Sequence, residues 1–98
     1  MSNVWIECSF GSTDDAETRT AKKEAVLGII KSKARTLKEA SEEGRVGCGD
    51  VKCECGEAFP WKILTDNDCD LTEFARGLRN DISEILDPES VRVTVNVS

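Results

Sequence analysis

The stretch VGCGDVKCECGEAFPW, residues 46–61, holds Cys48, Cys53 and Cys55; Cys8 and Cys69 complete the chain's five cysteines. Cys48, Cys53, Cys55 and Cys69 together form a candidate tetrahedral zinc set, since thiolate is the ligand that structural zinc prefers. The spacing argues against it. Zinc ribbons place two cysteines as C-x-x-C in a turn, whereas Cys53 and Cys55 are separated by one residue. In an extended strand they stand about 6.6 Å apart along the axis, too far for two ligands at about 2.3 Å from one metal. The alternative is that Cys8, Cys53 and Cys55 fill inward strand positions as small apolar residues and that Cys69 packs at a helix start. A disulfide is disfavoured by the odd count and by the expectation of a reducing compartment.

Catalysis finds little to work with. A nucleophilic cysteine needs a base or a cation beside it, and the chain has no histidine, which removes the commonest general base and metal ligand. Lys52 and Arg45 are near in sequence but read as surface residues. Asp66, Asp68 and Asp70 imitate the start of a calcium loop, yet Leu71 stands where that loop needs glycine and Gly77 where it needs an acid. Lys31, Arg35 and Lys38 share one helix face and read as a solvated ridge paired with Glu39 or Glu42. No glycine-rich phosphate loop occurs. The expectation is a non-enzyme with no cofactor and no metal.

These residues are carried by six elements. Val4, Ile6, Cys8 and Phe10 alternate with Trp5, Glu7 and Ser9, a half-buried strand. Ser12 or Thr13 opens a helix of about 30 residues, whose apolar positions begin near Val26 and which ends at Glu43-Gly44, with Gly44 left-handed. Its first turns are polar, so its N-terminal end should project. Two short strands follow, over 50–55 and 57–64, and Pro60 in the second predicts a sheet edge. Asp70 and Glu73 read as a capping box with Cys69 and Phe74 as a hydrophobic staple. Leu71, Phe74, Ala75, Leu78, Ile82, Ile85 and Leu86 then form an amphipathic helix. VRVTVNV, residues 91–97, is a strand with its valines inward. The order strand, helix, strand, strand, helix, strand is a βαββαβ, ferredoxin-like α+β arrangement: one domain, residues 1–98, with a four-stranded antiparallel sheet and two helices on one face.

Composition bounds the function. The net charge is −6 from 19 acids and 13 bases. The excess is local: residues 14–43 balance seven acids with seven bases, while residues 44–98 carry eleven acids and six bases. Such a chain should not bind nucleic acid directly. It lacks an apolar run long enough to span a membrane and the pattern of a secretory leader. The expectation is a cytoplasmic protein, in its own cell or a host cell, that binds another protein with a basic surface. Asp66, Asp68, Asp70, Glu73, Asp81 and Glu84 are the candidate contact residues, as one acidic flank along the second helix. Trp5, on the sheet face away from the helices, is the other candidate. Small phage-borne inhibitors, anti-CRISPR proteins among them, are similar in size and charge; by that analogy the chain is an inhibitor or adaptor of a nucleic-acid-handling protein, acting as a nucleic-acid mimic.

Overall fold

The computed structural model describes residues 2–11, 13–56 and 58–97. Strand β1 (Ser2–Cys8) is followed by helix α1 (Ala16–Glu42), strands β2 (Val51–Glu54) and β3 (Trp61–Thr65), helix α2 (Thr72–Ser83), a 3-10 turn at Pro88–Ser90 and strand β4 (Val91–Val97). The strands form one antiparallel sheet in the order β2-β3-β1-β4. This is the βαββαβ, ferredoxin-like arrangement expected from the order of elements.

The period-two pattern of each strand decides which face is buried. Val4, Ile6, Trp61, Ile63 and Val91 turn inward and pack against Val26, Ile30, Ala34 and Leu37 of α1 and Ala75, Leu78 and Ile82 of α2. Among the described residues no helix covers the opposite face. There, register places Trp5 opposite Lys62 on one side and Thr94 on the other.

Helix α1 is 27 residues long, about 40 Å at 1.5 Å per residue, and it sets the long axis of a molecule measuring 44 × 21 × 20 Å. Asp15 is its cap: Oδ1 accepts the Thr18 N–H at 2.7 Å, and this bond lowers the Asp15 pKa. Of the expected caps, Thr13 precedes the helix and Ser12 lies outside the described residues. From Ala16 to Ala21 every side chain is exposed. The first buried helical residue is Val26, so the polar turns overhang the core. Gly44 takes φ +78° just past the helix end, the left-handed turn that glycine supplies without steric cost.

Three expectations fail. Strand β3 is central, not at an edge, because Pro60 precedes the first paired residue, Trp61, and its missing N–H falls outside the ladder. Cys53 is not a core residue: β2 is the edge strand, only its Val51 is covered and Cys53 is exposed, while Cys55, just past the strand, is partly buried against the core. The capping box does not close. Leu71 occupies the cap position of α2 with no side-chain bond, and Asp70 Oδ1 instead accepts the Thr72 N–H at 3.0 Å.

The overhang yields a measurable expectation. Amides of residues 16–22 should exchange with solvent faster than those of residues 26–40, because the first turns lack core packing. Equal strong protection along the whole helix, read by exchange mass spectrometry, would mean that the overhang is packed in solution.

Candidate functional site

The topology brings the end of α1, the loop 44–50, the loop 66–70 and the starts of β1 and α2 to one end of the sheet. A buried polar knot holds them. Ser2 is fully buried; its hydroxyl donates to the Cys69 carbonyl and accepts the Cys69 N–H, both at 2.9 Å. Thr65, 1% exposed, has its hydroxyl 2.7 Å from the Ser2 carbonyl and 2.9 Å from the Asn67 carbonyl. Asn67 N–H donates to Cys48 O at 3.0 Å, Asp66 N–H to Asp50 O at 3.1 Å, and Ser41 Oγ to Gly49 O at 2.7 Å. Gly49 lies at φ +72°, and a Cβ there would meet Asp66 Cβ and Asn67 Nδ2 at 3.0 Å, so a side chain would push the two loops apart.

A disulfide between Cys48 and Cys69 completes this clasp, with Cα atoms 5.3 Å apart and a sequence separation of 21. It overturns two sequence expectations, since the chain has a disulfide and Cys69 is not a staple, and it takes two members out of the rival four-cysteine zinc set by bonding them to each other. The general bias against disulfides said nothing about where two loops would meet. Among the described residues, no three cysteine, aspartate or glutamate side chains converge as metal ligands. With Cys48 and Cys69 joined, the cysteine content no longer argues for a reducing compartment.

The clasp carries the acids. Glu42, Glu43, Asp50, Asp66, Asp70 and Glu73 are all exposed at this end. Its bases are engaged: Lys38 lies 3.9 Å from Asp50 and Arg45 lies 2.7 Å from Glu43. The hydrogen bond from Thr72 lowers the Asp70 pKa, so Asp70 keeps its charge to lower pH than a free carboxylate. Asp68 is exposed in the same loop.

The candidate residues divide between this pole and the length of α2. Asp66, Asp68, Asp70 and Glu73 belong to the pole. Glu84 follows Glu73 by eleven positions, about 16 Å along the helix, and stands near the far end. Asp81 is not free, being 3.1 Å from Lys33 of α1. Arg76 and Arg79 line the side of α2 toward β4, with Val93 and Val95. Sequence reasoning missed Glu42, Glu43 and Asp50, which are remote in the chain and meet the loop only through the topology. Trp5 is 37% exposed on the open face, with Lys62 Nζ 4.7 Å from its ring centroid.

Two thiols stand apart from the clasp. Cys53 Sγ and Cys55 Sγ are 2.8 Å from each other at the far end of β2, much closer than an extended strand allows. Burial, then the hydrogen bond and charge of Cys53, push the Cys55 thiol up to about 12, while Lys31 acts the other way. Cys8 is half-buried, and burial raises it to about 11.

Compared with protein-family models, with curated proteins and with solved structures, the chain matches none. Among the described residues no helix is long and apolar enough to cross a membrane.

The clasp and the thiol pair should separate in a stability measurement. Replacing Cys48 and Cys69 together by Ala should cost about 3 kcal/mol, the loop-closure value for a ring of this size. Replacing Cys53 and Cys55 together by Ala should cost less, about 1 kcal/mol, since Cys53 is exposed and Cys55 only partly buried. Urea unfolding of both variants checks this; equal losses would show that the clasp does not hold the fold.

Proposed function

We propose that the protein is a binding module whose acidic pole docks on the basic surface of another protein. The observation that supports this is the concentration of Glu42, Glu43, Asp50, Asp66, Asp70 and Glu73 at one end, on two helix ends and on loops tied down by a disulfide and a buried hydrogen-bond knot. Held in place and only partly offset by Lys38 and Arg45, an excess of negative charge steers association with a surface of opposite sign and suppresses wrong partners. Pre-tied loops also lose little conformational entropy on docking. A partner that handles nucleic acid is the natural class, because its phosphate-binding groove is a ready basic surface; the protein would then act as an inhibitor or adaptor that occupies that groove.

A second reading rests on Trp5. The open sheet face presents this indole between Lys62 and Thr94, and an exposed tryptophan is a common anchor in interfaces. The two readings predict different sensitivities.

The deciding experiment captures partners on the immobilised chain and compares three variants. Reversing the pole with Glu42→Lys, Asp66→Lys and Glu73→Lys should abolish capture, and added salt should weaken whatever the unaltered chain binds. Glu84→Lys with Glu89→Lys, placed toward the other end, should leave capture intact. Retention by the pole variant with unchanged salt dependence, together with loss on Trp5→Ala, would refute the acidic pole and select the open face.

A further inference from the structure

Strand β2 is an edge: among the described residues it pairs with β3 and with no other strand. The chain leaves the ladder after Glu54, and this departure swings Cys55 Sγ to 2.8 Å from Cys53 Sγ. A regular strand would hold residues i and i+2 about 6.6 Å apart; a disulfide needs about 2.05 Å between sulfurs. The two thiols thus sit most of the way to bonding contact. Cys53 is exposed and Cys55 half-buried, so one sulfur is open to a reactant and the other is sheltered behind it.

The neighbourhood is chemically distinct from the rest of this acidic protein. A groove of about 270 Å³ beside the pair is lined by Lys31, Ala34, Arg35, Lys38, Val51 and Cys53. Lys38 has Asp50 at 3.9 Å. Among the described residues Lys31 and Arg35 have no carboxylate within salt-bridge distance. The ridge read from the sequence is a solvated face, as expected, but the partner of Lys38 is Asp50 rather than Glu39 or Glu42, and the ridge forms one wall of a groove that reaches a thiol.

We propose that Cys53 and Cys55 form a redox-active dithiol that exchanges with small anionic disulfides of the glutathione type, received by Lys31 and Arg35. Cys53, having lost its proton to solvent, attacks one sulfur of the incoming disulfide. The disulfide's S–S bond breaks, a mixed disulfide forms at Cys53, and the first thiolate leaves and takes up a proton. Cys55 then gives up its proton and attacks Cys53 Sγ, expelling the second thiolate, which is protonated in turn. Two protein thiols and one disulfide become one protein disulfide and two small thiols, a two-electron exchange that reverses when the small thiol is in excess. The elevated pKa of Cys55 fits its part as the second, resolving thiol, protonated until the mixed disulfide is in place. The cationic wall attracts the carboxylates of the incoming disulfide. This chemistry is independent of the acidic pole, which lies at the other end of β2.

The test uses the full chain equilibrated in buffers of glutathione and glutathione disulfide, quenched with a maleimide, and read by intact and peptide mass spectrometry. The expected result is a reversible loss of two hydrogens that maps to Cys53 and Cys55, separate from the Cys48–Cys69 bridge. Cys55→Ser should accumulate a stable glutathione adduct on Cys53, because the resolving thiol is gone. Lys31→Glu with Arg35→Glu should slow oxidation by glutathione disulfide about tenfold at low ionic strength while leaving the rate with neutral 2-hydroxyethyl disulfide unchanged. Independent modification of the two thiols with no joint loss of hydrogens would overturn the dithiol. Equal slowing of both disulfides would overturn the role of the cationic wall. Both readouts come from exposed or half-buried positions at a strand end, and the unaltered chain supplies the first of them without any substitution.

Discussion

The hydroxyl of Ser2 is the smallest group on which much of this structure depends. It sits at the first position of a central strand, on the inward face, where a valine would satisfy the packing. Its two hydrogen bonds to the backbone of Cys69 carry the direction of β1 into the 66–70 loop. Thr65 does the same from the neighbouring strand. Burying hydroxyls is costly unless each is paired, and here each is. The disulfide then fixes the 44–50 loop to the same point. The core alone would hold helices to sheet; the knot decides where the charged loops stand.

That division explains what is legible in the sequence. The alternation of β1 and β4 and the apolar stripe of α2 are local patterns, and local patterns survive into the fold because each strand buries one face only. Ser2 and Thr65 were legible in principle: they continue the inward series Ser2, Val4, Ile6 and Trp61, Ile63, Thr65, and a hydroxyl at an inward position signals a partner to be found. The pairing of Cys48 with Cys69 was not legible, since the spacing of two cysteines does not say which loops will meet. Pro60 misled because a proline forbids only its own place in a ladder, and one residue of offset turns an edge signal into the lead-in of a central strand. The candidate acids were correctly seen as an excess, but their grouping depends on which ends the topology collects.

The same topology separates two opposite electrostatic characters. The pole gathers carboxylates from α1, both loops and α2, and it receives the negative end of the α1 dipole with no base in that last turn to offset it. Along the opposite edge of α1, lysine and arginine face the free side of β2. A net charge of −6 averages over these two surfaces and describes neither.

The two tryptophans divide the sheet between them. Trp61 is 3% exposed, 4.5 Å from Phe59 between ring centroids, while Trp5 lies 37% exposed across the same sheet beneath an ammonium group. With no tyrosine in the chain, the ultraviolet emission of the folded protein comes almost wholly from one dry indole and one wet one. Their colours differ, so the molecule carries a built-in pair of dyes, one reporting on the interior and the other on whatever touches its uncovered side.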